Sequence, residues 1–339
     1  MDIGEYRVLR NGAGMVALEG RGWLAVAGQD RADFLQGLLS NDVAALSPGG
    51  GCYAACLTPQ GRMTADMYVF ADRDRLLLDV DGSVTDRLCE RFDDLVFTED
   101  VRIENLTGWT AYGLHGPGAG EVAGSLTGAA AGRLAVCEHR AFGIESGVGL
   151  LARTDDLGVE GYRVVVERPA AEALQRELEA AGAVAVGPAA AEAVRVESGR
   201  PLFPIDMDHD TIPLEAGIAD RAISFDKGCY VGQEVIVRIL HRGQGRVARR
   251  FAGLTFEPSA APDAPLPSPG AAIFSGDDEV GRVTSAVRSP AVAAVIALGY
   301  VRRELAETVG AGVDVALGTD RSPAVVTSLP FVPADARVG

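Results

Sequence analysis

Apolar and polar positions follow two periods along the first 200 residues. Trp23–Ala27, Gly51–Leu57, Thr64–Phe70 and Arg75–Val80 read as strands, the middle two flanking the turn Pro59-Gln60-Gly61. Asp30 precedes Phe34, Leu35, Leu38 and Leu39, the spacing of one helix face behind a capping residue. Ser83-Val-Thr-Asp86 resembles a capping box, with Leu88 and Phe92 inward in the helix that follows. Further strands are expected at Val101–Leu106, Trp109–Leu114, Leu134–Glu138 and Tyr162–Glu167, with a helix around 118–126. Pro169 opens a helix over Ala170–Ala181 that stops at Gly182, and Ala189–Ser198 is a second, Ala-rich one.

Beyond residue 200 the pattern breaks. Residues 201–232 are rich in Pro, Asp and Gly and read as a long ordered loop. Five prolines between Glu257 and Gly270 indicate a stiff surface insertion or linker, and 271–335 reads as short strands of a small all-β module.

At 339 residues, 47% hydrophobic and 23% charged, the chain has the composition of a globular protein with two or three domains. Its net charge of −16 repels a phosphate backbone, which argues against generic nucleic-acid binding. The longest apolar run, Val292–Val301, is about half the ~20 residues of a membrane span. Five cysteines do not indicate a disulfide scaffold, and no basic-then-apolar leader opens the chain. A soluble, cytoplasmic, monomeric protein is expected.

Of 31 basic residues, a single one is lysine, Lys227. In a chain that uses Arg everywhere else, it marks a place where a planar guanidinium does not fit. It lies in the densest chemical run, Ser224-Phe-Asp-Lys-Gly-Cys-Tyr-Val-Gly-Gln-Glu234. The ammonium could favour a Cys229 thiolate, while Tyr230 and Gln233 add a stackable ring and a planar hydrogen-bonding group. The alternative is a tight turn before a strand at Gln233–Leu240, with Cys229 inert; the isolated lysine favours the first reading.

Residues 235–250 hold Arg238, Arg242, Arg246, Arg249 and Arg250 with no acid, either a receiver for an anionic ligand or a solvated basic segment. Glu215, in the apolar turn Thr211–Gly217, needs a donor pair if buried: a heterocycle edge or a nearby Arg. Asp66 sits in an apolar strand on the face of Thr64 and Tyr68, a functional candidate if that face is buried. Asp206-Met-Asp-His-Asp210 suits a polar loop better than a metal site, and Gly113-Leu-His-Gly-Pro-Gly118 matches a phosphate loop only loosely.

The run Lys227-Gly-Cys-Tyr-Val-Gly-Gln-Glu234 resembles the signature of the YgfZ family of folate-binding proteins, relatives of the glycine cleavage T-protein aminomethyltransferases. Asp33–Asp42, Pro59–Arg62, His115–Pro117, Arg195–Gly199 and Pro213–Gly217 fall in the matching order, so the resemblance covers about residues 15–330. It implies an α+β, three-lobed T-protein-like body with a central tetrahydrofolate cavity, followed by a small C-terminal β-barrel. The folate-binding region would be 1–245, with lobes at approximately 1–105 plus part of 190–245 and at 106–190; the barrel would be 246–339. The resemblance further implies a part in iron–sulfur cluster assembly or repair, linked to tRNA modification, with client or assembly proteins as partners. The alternatives are a folate-dependent aminomethyltransferase and a non-enzymatic folate-sensing scaffold. By position, Cys229, Lys227 and Asp66 would carry chemistry. Glu215 would grip the pterin with Asp66, Tyr230 and Gln233 nearby, and Arg238 and Arg242 would meet the glutamyl tail. No metal ligand set is implied.

Overall fold

A computed structural model describes residues 1–338 except 129–130, 146 and 258–264. Along the chain the elements are α1 (Ile3–Asn11), β1 (Gly14–Ala17), β2 (Arg21–Ala27), α2 (Arg31–Leu38), β3 (Gly51–Leu57), β4 (Met63–Ala71), β5 (Arg75–Asp81), α3 (Thr85–Asp93), β6 (Arg102–Asn105) and β7 (Trp109–His115). There follow α4 (Ala119–Thr127), β8 (His139–Ile144), β9 (Gly147–Thr154), β10 (Gly161–Glu167), α5 (Ala171–Ala180), β11 (Val184–Ala185), α6 (Pro188–Glu197), α7 (Ala219–Ala222) and α8 (Gln233–His241). The last part comprises β12 (Arg249–Phe256), β13 (Ala272–Ser275), β14 (Asp278–Ser289), β15 (Ala294–Arg302), α9 (Arg303–Ala306), β16 (Gly312–Leu317) and β17 (Asp320–Thr327).

These form the three-part α+β architecture that the resemblance implied. One five-stranded sheet has the order β3-β4-β5-β2-β6, one six-stranded sheet the order β11-β1-β7-β10-β9-β8, and β12-β15-β14-β13-β16-β17 close into a barrel. β1 leaves the N-terminal run to pair with β7 in the second sheet. Every residue of β4 is buried, because both of its faces are covered; its Met67, Val69 and Phe70 belong to the largest apolar cluster. The barrel closes over Leu254, Ile273, Val283, Val315 and Val326, an alternating set that only a closed sheet can bury on one side.

Two buried charge clusters bind the parts together. Glu197, at the end of α6, accepts from Tyr6 Oη at 2.9 Å, from Arg10 and from Ser289 Oγ, and its backbone carbonyl accepts from Phe331 N and Val332 N at 2.9 and 3.1 Å. Arg195 donates to Asp206 at 2.6 Å, to Ser285 Oγ at 2.9 Å and to Glu192 at 2.6 Å, joining α6, the following loop and the barrel.

Several expectations for local structure are overturned: neither Asp30 nor the Ser83–Asp86 run makes the expected side-chain cap, and the loop over 201–232 includes α7. Leu134–Glu138 is not a strand; a 3-10 turn at Ala131–Arg133 precedes it and the strand starts at His139. Gln233–Leu240 is helix, not strand. The β-branched run Val235–Val237 suggested extension, but Ile236 is buried with Leu240 packed against the same core, one helical turn apart. Glu234 in the first turn and Arg238 and His241 in the last complement the helix dipole. Of the proline-rich stretch, residues 258–264 lie outside the described residues. Among the described residues no helix is long and apolar enough to cross a membrane.

Candidate functional site

Register across the first sheet sets Tyr53 opposite Tyr68, Tyr68 opposite Asp79 and Asp79 opposite Trp23. One step along, Ala55 faces Asp66 and Arg21 faces Asp81. In the second sheet Val16, Gly113, Arg163 and Ala152 form one cross-strand row. Directly opposed residues share a face, so one sheet presents acids and phenols and the other Arg163. Residues from both sheets enclose a cavity of about 300 Å³ that Tyr53, Asp66, Tyr68, His115, Arg163 and Arg221 help to line.

Several acids in or beside this cavity are matched to guanidinium groups. Asp79 is fully buried between Arg21, at 2.8 Å, and Arg163. Asp155 receives Arg221 at 2.5 Å, Arg200 at 2.6 Å and the Tyr68 hydroxyl at 3.0 Å. Asp156 pairs with Arg163, and burial pushes its carboxyl above the ordinary range. Asp66 differs. It has no ion pair among the described residues, and its donor is a phenol, the Tyr53 hydroxyl at 2.5 Å from Oδ2. Burial raises its pKa, against the pull of Arg21, the Tyr53 bond and Arg221, whose guanidinium lies 4.5 Å from the centre of the Tyr53 ring. Asp66 is therefore a buried cavity acid able to take a proton or a new donor.

The glycine-rich run folds as a clamp on α2. Lys227 Nζ donates to the carbonyls of Gln36, Leu39 and Asn41, each at 2.7 Å. Three acceptors converging on one nitrogen suit a tetrahedral ammonium and not a planar fork, which accounts for the single lysine. Burial lowers its pKa to about 8, with Asp42 opposing, so it stays an ammonium at neutral pH. Its three protons are committed to backbone carbonyls. These contacts give Lys227 a structural role, and none of them joins its charge to the Cys229 thiol. Cys229 itself is exposed. Tyr230 is buried in the main core, its ring centre 5.2 Å from the ammonium. Gly232 has φ +87°, where a Cβ would come within 2.5 Å of the Thr58 carbonyl oxygen. It caps α8, which Gln233 opens and on whose exposed side Arg238 and Arg242 lie.

Glu215 takes the alternative partner: its carboxylate meets Arg249 Nε at 3.0 Å, and its carbonyl accepts from Phe251 N at 2.8 Å. It thus joins the body to β12. The structure brings Asp66 to the cavity but does not set Glu215, Lys227, Cys229, Tyr230, Gln233, Arg238 or Arg242 in its lining. Sequence reasoning missed Tyr53, Arg163, Arg221 and His115. Both β3 and β10 are buried along most of their length, so neither strand's own pattern carried a signal for the first two; Arg221 follows a loop and had none. His115 falls one residue past the expected strand Trp109–Leu114, within the Gly113–Gly118 and His115–Pro117 runs; it ends β7. In the acidic stretch 206–210, Asp206 serves Arg195 and Asp208 serves Arg282 at 2.9 Å. Among the described residues no cluster of His, Cys, Asp or Glu could hold a metal ion.

Comparison with known proteins gives a consistent neighbourhood. Residues 2–227 match the description "GCVT N-terminal domain" and residues 249–333 match "Glycine cleavage T-protein C-terminal barrel domain". The chain is 30% identical to the aminomethyltransferase of Rubrobacter xylanophilus, over 96% of this chain and 85% of that protein. It is 29% identical to a putative chloroplastic transferase of Arabidopsis thaliana, over 95% and 72%. The crystal structure of the glycine cleavage system aminomethyltransferase T of Bartonella henselae superposes with a TM-score of 0.85 at 22% identity, covering 97% of this chain and 89% of that one.

Proposed function

The chain belongs to the glycine cleavage T-protein family, and from that premise we propose that it binds a reduced folate, tetrahydrofolate, in the cavity lined by Asp66. One observation carries the reading: Asp66 is a buried carboxylate with no ion pair among the described residues, held by the Tyr53 hydroxyl in a cavity of about 300 Å³. A cavity of that size lies at the small end of ligand pockets. The residues suit the ligand's head group. An unpaired carboxylate accepts from ring N–H groups, and the phenols of Tyr53 and Tyr68 offer flat apolar faces. Asp66 would orient the bound folate and receive a proton from it, and Arg221 would hold Tyr53, and through it Asp66, in place.

Within the family we assign the chain to the YgfZ type, in iron–sulfur cluster assembly or repair with a link to tRNA modification. The Lys227–Glu234 run supports this: the Lys227 clamp fixes the loop, and Cys229 stands exposed where an iron–sulfur client or assembly protein could reach it. Aminomethyl transfer is the second reading, favoured by Asp66 itself, since a carboxyl raised by burial is suited to general-base work. A folate-sensing scaffold would bind folate and do neither.

Titration calorimetry with tetrahydrofolate tests the common premise. Binding by the wild-type chain, weakened at least tenfold in Asp66→Asn, is expected; absence of heat refutes the reading. Turnover of an aminomethyl-lipoyl carrier protein to methylenetetrahydrofolate would establish the second reading. Loss of cluster-enzyme activity in cells carrying Cys229→Ser, with folate affinity intact, would establish the first.

A further inference from the structure

The face of the six-stranded sheet that carries Arg163 also carries a second cross-strand row, Gly14, His115, Gly161 and Thr154. Its only large side chain is an imidazole, and of the row His115 lines the cavity. The ring fits a slot made by absent side chains. A Cβ on Gly113 would strike its Nε2, and a Cβ on Gly161 would lie 2.7 Å from its Nδ1. His115 is 2% exposed; its Nδ1 is sealed against Gly161 without a partner, and its Nε2, which is not sealed, makes no hydrogen bond among the described residues.

A polar atom at the wall of a mostly enclosed cavity is costly without a partner, so Nε2 is the nitrogen that a bound ligand would meet. Burial lowers the His115 pKa to about 4, so the ring is neutral at physiological pH, with one nitrogen donating and the other accepting. No charged group appears among the causes of that shift, which fits an imidazole set apart from the ion pairs around Asp79 and Asp155. A neutral imidazole of this kind suits an uncharged hydrogen-bonding group better than an anion. Val16, on the neighbouring strand, and Leu157, Pro188 and Ala191 add apolar side chains to the same lining.

We propose that His115 is a specificity-determining residue of the cavity, hydrogen-bonding an uncharged amide or lactam group of the bound folate. This rests on the folate reading above. Asp66 takes the ligand's N–H groups from one sheet, and His115 reads a neutral group from the other, so one planar ligand is held between two sheets. The ring is a positioning group and takes part in no bond making.

Tetrahydrofolate affinity and Tm are measured for wild type, His115→Gln and His115→Leu, with His115→Met in place of Leu should that variant not fold. Gln keeps a donor and an acceptor and is expected within threefold of wild-type affinity. Leu or Met, lacking both, is expected to bind at least tenfold more weakly, with Tm equal to or above wild type because an unpartnered polar atom is gone. A structural role, with His115 satisfied inside the sheet towards Thr154, predicts the reverse: a lower Tm and unchanged affinity, and that result overturns the proposal. Wild-type affinity in the apolar variant also overturns it while leaving the folate reading intact. A wild-type chain that binds no tetrahydrofolate overturns both.

Discussion

Replacing Lys227 by arginine keeps the charge and should still destabilise the protein. The ammonium makes three hydrogen bonds of 2.7 Å to carbonyls of residues 36, 39 and 41, at the end of α2 and just beyond. Hydrogen bonds to charged groups contribute roughly 1.5–3 kcal/mol each, and losing one partner of a buried charged contact costs about 3–5 kcal/mol. The three share one nitrogen, so their contributions do not add. Lys227→Met strands all three carbonyls and should cost about 3–5 kcal/mol, the upper range for one buried contact set. In Lys227→Arg a planar fork can satisfy one or two of the three, and its longer head must displace the Tyr230 ring beneath it; about 2 kcal/mol is expected. Urea unfolding at pH 7, read by tryptophan fluorescence, measures both: the midpoint should fall in the order wild type, Arg, Met, at constant m. A Lys227→Arg midpoint within about 0.5 kcal/mol of wild type, the scatter of an ordinary surface substitution, would refute the geometric account of the isolated lysine.

Asp66→Asn should raise Tm at neutral pH while it weakens folate binding, because the carboxyl pKa is raised by burial and an amide carries no charge to desolvate. The folded state holds this proton more tightly than the unfolded one. Its contribution to stability therefore declines as pH rises from the ordinary 3.8 through the raised value, and this decline should be missing from the pH–Tm curve of Asp66→Asn. Gly232→Ala should lose about 1–3 kcal/mol in urea titration, since φ +87° and a Cβ 2.5 Å from the Thr58 oxygen force the turn at residues 58–61 to move. Arg249→Met should leave the Glu215 carboxylate, now at 3.0 Å from its guanidinium, without a charged partner; a lower Tm that Glu215→Gln partly restores is the expected double-mutant result.

The architecture was legible because apolar runs bounded by turn residues mark β2 to β5, and because the resemblance spans both the body and the barrel. The failures have physical causes. Val235–Val237 reads as strand by propensity, yet Gly232 in a left-handed conformation and charges suited to the dipole start and end a helix there. Asp66 could be found because an acid in an apolar strand is anomalous by itself. Tyr53, Arg163 and Arg221 become a site only through cross-strand register, which one strand's sequence does not contain. Lys227 stood out in the sequence as the single lysine, and its three carbonyl partners could not be read there because they lie about 190 residues upstream.

The Glu197 carboxylate has a consequence for how separable the parts of this protein are. It is fully buried, and its partners come from the first helix, from barrel strand β14 and, through its carbonyl, from the segment beyond β17. Cutting the chain ahead of the barrel would withdraw the serine and the tail while leaving the acid and arginine inside the remaining piece. Neither fragment should then be a free-standing module. The boundary visible in the strand order is a seam within one cooperative unit, and expression of the barrel-less body alone should give an aggregating or partly unfolded product.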